Sequence, residues 1–276
     1  SRVHCPKNDN LDSQTICKYL IENPDKFSPY TLSSYHNEAL KSLSRKRFFI
    51  VDELRKAKLT VNNLIQVIFP EFKSLFSNIY GATAISILKH YQTPKRIARA
   101  HADSLARFIH GSCSCTAAEL IEAAKSSVGI SNDYLAFQLA DAIEEMEHIQ
   151  QRVKKFDEQI KTYVDELCPE LLSIPGVGYV TAGLIMGEIK DISRFRTVDS
   201  LIAYSGIDLE TYESGNYKSK NLHPTKKGSK YLRYALFQVA RVAWIHDPVF
   251  NAYYRKKLSE GKHYYVALGH LQKKIL

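Results

Sequence analysis

The spacing of apolar residues along the chain predicts a mainly α-helical protein. The strongest pattern lies over residues 135–167, where apolar residues recur at alternating steps of four and three. Its members are Leu135, Leu139, Ala142, Met146, Ile149, Val153, Phe156, Ile160, Tyr163 and Leu167. A sustained heptad with charged flanks predicts a coiled coil. Spacing alone leaves open whether the partner is an earlier, antiparallel helix of the same chain or a helix of another subunit.

A second long amphipathic helix is predicted over about residues 34–68, and Pro70 ends it. Its apolar stripe consists of Leu40, Leu43, Val51, Leu54, Val61, Leu64 and Ile68. Its polar side carries Arg45, Lys46, Arg47, Arg55, Lys56 and Lys58. These cations form either a track for DNA or RNA or an ordinary solvated helix face, and the sequence is compatible with both.

Two carboxylates stand close together near the start of the chain, at Asp9 and Asp12. Leu11, Ile16 and Leu20 predict a helix there, which ends near Asn23 and Pro24. Carboxylates three residues apart lie on one face of a helical turn and can share a divalent metal ion. On spacing alone, an aspartate helix cap followed by a solvated aspartate is the better interpretation.

The last third of the chain opens with the turn Ile174-Pro175-Gly176-Val177-Gly178, and a helix is predicted over 179–189. An apolar-Pro-Gly-x-Gly turn before a helix of small residues resembles a helix-hairpin-helix module. In such a module the glycines let backbone N–H groups approach a DNA phosphate at a helix N-terminus. A tight turn between two helices, without any ligand, is the alternative.

A long basic segment follows, because no Asp or Glu occurs between Gly215 and Arg241. Its cations are Lys218, Lys220, Lys226, Lys227, Lys230, Arg233 and Arg241. The helix predicted after Gly228 has an apolar face of Leu232, Leu236, Val239 and Ala243, and its opposite face presents Lys230, Arg233, Tyr234 and Arg241. One face can enter a core while the other contacts a phosphate backbone. A solvated basic loop is the alternative interpretation.

The net charge of +9 is concentrated at the C-terminal end. Residues 171–276 hold 16 Lys and Arg against 8 Asp and Glu, which indicates a polyanionic partner. The five cysteines form no C-x-x-C pair, as expected for free thiols in a reducing compartment. No signal peptide or apolar run of about 18 residues is visible, so we predict a cytoplasmic protein without a membrane partner. The chain begins with Ser in mid-pattern and looks like a piece of something longer.

Several motifs together resemble one family. They are K-N-D-x-x-D, F-P-E-F, I-P-G-V-G-x-x-T-A, G-E-I-x-D-I-S-R-F, L-I-A-Y-S-G, E-S-G, K-K-G-S-K-Y-L-R and G-K-H-x-x-V-A-L. Their order resembles the DEDD-plus-serine transposases of the insertion-sequence one-ten family, which includes the Piv-type DNA invertases. The resemblance spans nearly the whole chain.

This resemblance implies three parts: the C-terminal remnant of a RuvC-like (RNase H-like) domain over 1–66, a helical and coiled-coil region over 67–170, and a C-terminal transposase domain over 171–276. It implies a nucleophilic serine at Ser214, with Ser205 as a lower-ranked competitor. Asp9 and Asp12 match the last two of the family's four metal-binding acids, which implies Mg²⁺. The first two acids are expected upstream of Ser1.

The implied partners are DNA, a guide (bridge) RNA encoded in the element, and further copies of the chain in a dimer or tetramer. The implied setting is the cytoplasm of a bacterium or archaeon, in association with the nucleoid. The predicted nucleic-acid contacts are Gly176, Gly178, Lys218, Lys220, Lys226, Lys227, Lys230, Arg233 and Arg241. Two alternatives stay open: a nucleic-acid-binding fragment that cannot cut, and a coiled-coil assembly protein with an incidental basic domain.

Overall fold

A computed structural model describes residues 9–24, 32–109, 115–208, 213–214, 217–218 and 225–276. Helices account for most of the described residues, which confirms the mainly α prediction. The α-helices are α1 (Asp9–Glu22), α2 (Leu32–Ile68), α3 (Phe72–Leu75), α4 (Ala82–Tyr91), α5 (Pro94–Ala98), α6 (Ala102–Ala106), α7 (Ala117–Lys125), α8 (Asp133–Leu167), α9 (Tyr179–Ile189), α10 (Val198–Ser205), α11 (Lys230–His246), α12 (Pro248–Ser259) and α13 (Tyr264–Ile275). Short 3₁₀ helices cover Pro169–Ser173 and Ile192–Arg194. The strands β1 (Glu213–Ser214) and β2 (Tyr217–Lys218) pair antiparallel.

The two longest helices, α2 and α8, pack against each other along their length. Three ion pairs connect them: His36 with Glu166 (3.8 Å), Arg47 with Asp157, and Arg152 with Glu53 (3.4 Å). Residue numbers rise along one helix as they fall along the other, so the two helices are antiparallel. The heptad of α8 therefore has a partner within its own chain.

The buried faces of this helix pair follow the predicted periodicity, with one exception. Leu139, Met146 and Ile160 of α8 are at most 1% exposed. On α2, however, Val51 is 37% exposed and its neighbour Ile50 is fully buried. One residue corresponds to a rotation of about 100° around a helix. The prediction of Val51 in the stripe was wrong because the contact with α8 selects the face that contains Ile50.

The F-P-E-F segment closes the end of α2. Phe69 and Phe72 are almost fully buried, and their rings lie 5.6 Å apart. The Glu71 carboxylate accepts hydrogen bonds from the Ser127 hydroxyl (2.7 Å) and the Val128 backbone N–H (3.1 Å). This segment therefore holds the loop before α8 onto the end of α2.

Helix α9 lies against both α2 and α8, and its glycines make this possible. A Cβ on Gly187 would lie 2.7 Å from the Lys41 Cα, and one on Gly183 would lie 2.8 Å from Ile160. Contacts this short exclude larger side chains, so α9 approaches α2 at backbone distance. The carboxylate of Glu188, one residue further along α9, is thereby placed next to α2.

Helix α11 forms the centre of the C-terminal part. Its predicted apolar face of Leu232, Leu236, Val239 and Ala243 is at most 1% exposed, which confirms the prediction. Helices α12 and α13 cover another side of α11, where Ala240, Tyr254, Ala267, Leu268 and Leu271 form a third buried cluster.

Helix α2 contributes to both of the larger cores. Val61 packs with residues of α3 to α8, whereas Leu40 packs with residues of α8, α9 and α11. The domain limits 1–66, 67–170 and 171–276 stay a prediction, as do the RuvC-like remnant and the helix-hairpin-helix assignment. In the part of the chain that the structure describes, no helix is both long and apolar enough to cross a membrane.

Candidate functional site

Ser214 is the last residue of β1, at the end of a hairpin. The strand register pairs Glu213 with Lys218 and Ser214 with Tyr217. Only the two residues Gly215 and Asn216 separate the strands, and a Gly-containing pair of this kind favours a two-residue hairpin turn. The side chains of Ser214 and Lys218, and the whole of Lys220, lie outside the described residues.

The segment that carries the hairpin begins and ends at one place, which we call the neck (residues 204–208 and 225–229). Three backbone hydrogen bonds close the neck: Thr225 N–H to Asp208 O (2.7 Å), Lys226 N–H to Gly206 O (3.2 Å) and Ser229 N–H to Tyr204 O (2.7 Å). The chain therefore leaves α10 and returns to α11 through paired backbone, and Ser214 lies in the sequence between the two paired stretches.

Two glycines allow this close pairing. Gly206 ends α10 in the left-handed region, with φ +68°. A Cβ on Gly228 would lie 2.0 Å from the Tyr204 carbonyl oxygen, which is far inside van der Waals contact. The K-K-G-S motif therefore contains a glycine because the backbone on the other side of the neck occupies the space of a side chain.

A buried carboxylate, Glu188, lies beside the neck. It is 1% exposed. Arg45 of α2 donates to it twice, through Nε to Oε1 (2.6 Å) and Nη2 to Oε2 (2.9 Å). The Ser229 hydroxyl donates to the same Oε2 (2.9 Å). Burial opposes ionisation, but the hydrogen bonds from Arg45 and Ser229 outweigh it and lower the pKa of Glu188 below its ordinary value.

Further contacts connect this carboxylate to the elements around it. The Tyr204 hydroxyl donates to the Glu188 backbone carbonyl (3.2 Å). The Arg45 guanidinium lies 4.7 Å from the centre of the Tyr231 ring, in the first turn of α11. Burial also lowers the pKa of Lys41, which lies nearby on α2. Glu188 thus joins α2, α9, α10 and the start of α11.

Ser205 and Arg233 have structural roles beside the neck. Ser205 is fully buried, and its hydroxyl donates to the Ile202 carbonyl (2.6 Å), so it is not accessible to DNA in this conformation. The half-buried Arg233 donates through Nη1 to the Ser205 carbonyl (3.2 Å). The guanidinium of Arg233 therefore satisfies a carbonyl at the end of α10, which is a different position from the outward one predicted for it.

Four other predicted cations lie at the surface of the described residues. Lys226 and Lys227 are exposed on the neck, and Lys230 and Arg241 are exposed on α11. The ammonium of Lys230 lies 5.7 Å from the centre of the Phe49 ring, and Phe49 is 48% exposed. Exposed cations next to an exposed aromatic ring are typical of nucleic-acid-binding surfaces.

The basic series predicted on α2 is largely engaged within the chain. Arg45 pairs with Glu188 and Arg47 pairs with Asp157. Arg55 and Lys56 both pair with Asp52 (3.0 and 2.9 Å). Arg45 and Arg47 therefore connect helices, and contact of the other α2 cations with nucleic acid stays a prediction.

Of the two glycines in the I-P-G-V-G turn, Gly176 has a steric explanation, whereas a Cβ on Gly178 would meet nothing within 4 Å. Gly176 has φ +89°, and a Cβ there would lie 2.9 Å from the Val239 carbonyl oxygen of α11. The backbone N–H of Gly178 donates to the Thr181 hydroxyl (2.9 Å). The groove beside them is also lined by the carboxylates of Asp157 and Glu158. Their contact with nucleic acid stays a prediction.

Asp9 and Asp12 lie in the first turn of α1, where both are exposed. The Ser13 hydroxyl donates to the Asp9 backbone carbonyl (2.7 Å). Among the described residues, no group of three or more His, Cys, Asp or Glu side chains is arranged to hold a metal ion. Two exposed carboxylates alone do not form a complete metal site, so the metal role of Asp9 and Asp12 stays a prediction.

Sequence reasoning missed Glu188, Arg45 and Ser229 as a unit. One signal was present: Glu188 is the single charged residue of α9, whose other residues are almost all apolar or small. A carboxylate in such a helix is buried and needs a partner. Arg45 stands 143 residues earlier in the chain, so spacing could not identify it as that partner.

Comparison with known proteins matches this region to a family. Residues 168–255 match the family model "Transposase IS116/IS110/IS902 family". An uncharacterized 44.8 kDa protein of insertion element IS116 from Streptomyces clavuligerus is 23% identical over 263 residues, covering 92% of this chain and 65% of that protein. The transposase of insertion sequence element IS1111A from Coxiella burnetii is 35% identical over 99 residues, covering 33% of this chain and 27% of that protein.

A third relative is also similar to this chain over only part of its own length. The uncharacterized 43.6 kDa protein of insertion element IS110 from Streptomyces coelicolor is 32% identical over 102 residues, covering 37% of this chain and 25% of that protein. The chain thus spans less than two thirds of the length of the curated relatives that it matches. The family-model match begins at the end of α8 and includes the Glu188 carboxylate, the neck and the hairpin of Ser214.

Proposed function

We propose that the protein cuts and rejoins DNA at an insertion sequence through a covalent intermediate on Ser214, from the premise that residues 168–255 match the family model of IS116/IS110/IS902 transposases. The observation that carries the proposal is the position of the family match. It encloses the hairpin and both sides of the neck.

In the proposed reaction the Ser214 hydroxyl oxygen attacks a backbone phosphorus of DNA. A bond from phosphorus to serine forms as the bond from phosphorus to one sugar oxygen breaks. The serine gives up its proton, and the departing sugar oxygen takes one up. The phosphodiester energy is kept in the serine–phosphate bond, so the reverse attack by a sugar hydroxyl on a new strand rejoins DNA without ATP.

The surface charges next to the neck support binding of the DNA backbone. Lys226, Lys227 and Lys230 are exposed there, and Arg241 is exposed further along α11. Cations that replace the counterions of phosphates contribute affinity, and they offset negative charge that develops on the non-bridging oxygens. Lys218 and Lys220 lie in the hairpin segment by sequence and belong to the same proposal.

Mg²⁺ belongs to the proposal through Asp9 and Asp12, as two of the four carboxylates that the family resemblance implies. A bound magnesium ion would polarise the phosphate that the serine attacks. Since the two exposed aspartates are an incomplete ligand set in the described residues, the magnesium part of the proposal rests on the family resemblance. A guide RNA encoded in the element and a dimeric or tetrameric assembly complete the proposal.

Denaturing gel electrophoresis of the full protein with labelled DNA from its element ends tests the nucleophile. We expect a covalent protein–DNA species with the natural sequence and none with Ser214→Ala. Ser205→Ala is the matched control, because Ser205 also precedes a glycine but is buried. Its adduct should persist. An adduct that survives Ser214→Ala would refute the assignment.

Binding of nucleic acid without cutting is the second candidate function. The exposed cations and the Phe49 ring beside the neck favour it, since they require no catalytic group. It predicts DNA or RNA binding that weakens as salt rises, with no adduct from either the natural sequence or Ser214→Ala. A covalent species on Ser214 would exclude this candidate.

A further inference from the structure

The Glu188 carboxylate contacts the neck through one residue, Ser229, and three hydrogen bonds of this serine matter here. The Ser229 hydroxyl donates to Glu188 Oε2 (2.9 Å) and accepts from the Leu232 backbone N–H (3.2 Å), which caps α11. Its backbone N–H donates to the Tyr204 carbonyl (2.7 Å). Ser229 therefore fixes the start of α11, one side of the neck and a buried charge at the same time.

The position of Glu188 is itself tightly determined. Gly187 holds α9 at backbone distance from Lys41 of α2, and Arg45, one helical turn further along α2, forms two hydrogen bonds with the carboxylate. A buried carboxylate without partners is strongly destabilised, so this geometry has little freedom to change. The position of Ser229 is consequently set by the α2–α9 contact.

The backbone pairing continues from Ser229 toward the hairpin. After the Ser229–Tyr204 hydrogen bond come the Lys226–Gly206 and Thr225–Asp208 hydrogen bonds, each closer to the Ser214 segment. On the other side of the neck, Tyr204 also donates its hydroxyl to the Glu188 backbone carbonyl (3.2 Å). Both sides of the neck are thus tied to the same residue of α9.

We propose that Glu188, oriented by Arg45, is a positioning residue for the Ser214 hairpin and acts through Ser229 and the neck. The inference rests on the proposed function, since it assigns the purpose of this contact to the placement of the nucleophile. Glu188 does not touch DNA in this account. It determines where the hairpin emerges from the helical body.

The chain contains a matched control for this proposal. Arg45 and Arg47 both lie on α2, and each forms a two-point pair with a carboxylate of another helix. The partner of Arg45 is Glu188 beside the neck, whereas the partner of Arg47 is Asp157 on α8. Arg45→Met and Arg47→Met each remove one such pair and keep most of the apolar stem.

The first experiment is hydrogen exchange, measured by mass spectrometry on the peptide that contains residues 225–232 of the full protein. Arg45→Met, Glu188→Gln and Ser229→Ala should each accelerate exchange of the Thr225, Lys226 and Ser229 amides at least several-fold. Arg47→Met should leave these rates unchanged. Glu188→Gln leaves Ser229, which caps α11, unchanged. If Glu188→Gln and Ser229→Ala accelerate exchange to a similar extent, the loss of the carboxylate contact explains the acceleration without any loss of the cap.

The second experiment is the rate of covalent adduct formation with element-end DNA at saturating protein. A displacement of about 1 Å at a reacting group costs roughly 100-fold in rate, and we expect a loss of that order in Arg45→Met and Glu188→Gln. The DNA dissociation constant should change less than about threefold, because the exposed cations are intact. Ser229→Thr, which keeps a hydroxyl at this position, should retain most of the adduct-formation rate of the natural sequence.

The two experiments separate the possible failures. Equal exchange rates at residues 225–229 in Arg45→Met and Arg47→Met would overturn the positioning proposal, whatever the adduct assay gives. If the natural sequence forms no adduct at Ser214, the proposed function fails, and exchange alone then decides whether Glu188 holds the neck. If Glu188→Gln does not fold, Arg45→Met and Ser229→Ala carry the same comparison.

Discussion

Along the α2–α8 pair, the buried side chains are apolar and recur every three or four residues, and ion pairs lie at the margins of the contact. At the neck, a glycine with no room for a Cβ, three backbone hydrogen bonds and one buried carboxylate hold the structure. The first region distributes its stability over many similar contacts. The second depends on a few specific ones, as expected for a segment that must place one side chain accurately.

The largest stability effect is expected in the helix pair. Leu139→Ala removes a fully buried side chain of α8 and leaves a cavity, which costs about 2–5 kcal/mol. Chemical denaturation should show this loss, while adduct formation per folded molecule stays near that of the natural sequence. Val128→Ala is the control, since Val128 is 83% exposed and should change stability by less than about 0.5 kcal/mol. A loss of adduct formation per folded molecule in Leu139→Ala would contradict this difference between the two regions.

A smaller stability effect with a larger functional one is expected at Gly228. Its Cβ would lie 2.0 Å from the Tyr204 carbonyl oxygen, so Gly228→Ala must open the neck, at a cost of about 1–3 kcal/mol. We expect adduct formation to fall far more than the folded fraction does. Gly269→Ala in α13 is the matched control, because its Cβ meets nothing within 4 Å and removal of a helix glycine stabilises by about 0.5–1 kcal/mol. Equal adduct rates in the two variants would contradict the role of the neck.

The charge at the neck should appear as a pH dependence of stability. The pKa of Glu188 is lowered in the folded protein from its ordinary value of 4.5. A lowered folded-state pKa stabilises the protein above the unfolded value, and this contribution disappears as the pH falls below about 4.5. The stability difference between the natural sequence and Glu188→Gln should therefore be largest at neutral pH and shrink below pH 4.5. Denaturation midpoints between pH 7 and 3 measure it, and a difference that grows toward pH 3 would refute the ionised state.

The smallest expected effect concerns the exposed cations of α11. If each side chain contacts one phosphate, Lys230→Ala and Arg241→Ala should each make the slope of log DNA affinity against log salt concentration shallower by about 0.9. Lys89→Ala is the control, because Lys89 pairs with Glu147 (2.7 Å) in the other region of the molecule. Binding titrations at several salt concentrations provide the slopes. Equal slopes for Lys230→Ala and Lys89→Ala would place the DNA elsewhere.

The two regions also differ in how far sequence predicts them. Helical periodicity located α2, α8 and α11 because each has an apolar face that must be buried. The error at Val51 is a rotation of the predicted face by one residue. The neck has no periodicity. Gly228 and Ser229 belong to a motif, but their purpose depends on Tyr204 across the neck and on Glu188, whose partner Arg45 is 143 residues distant. Ser214 was identified by resemblance to a family, since nothing in its spacing distinguishes it from Ser205.

Peptide mapping of the covalent protein–DNA species would identify the residue that attacks DNA. The full protein is reacted with element-end DNA, the product is digested with nuclease and protease, and the peptides are analysed by mass spectrometry. We expect a nucleotide remnant that is linked through phosphate to Ser214. A remnant on any other residue, or a cut DNA end with no residue attached, would contradict it.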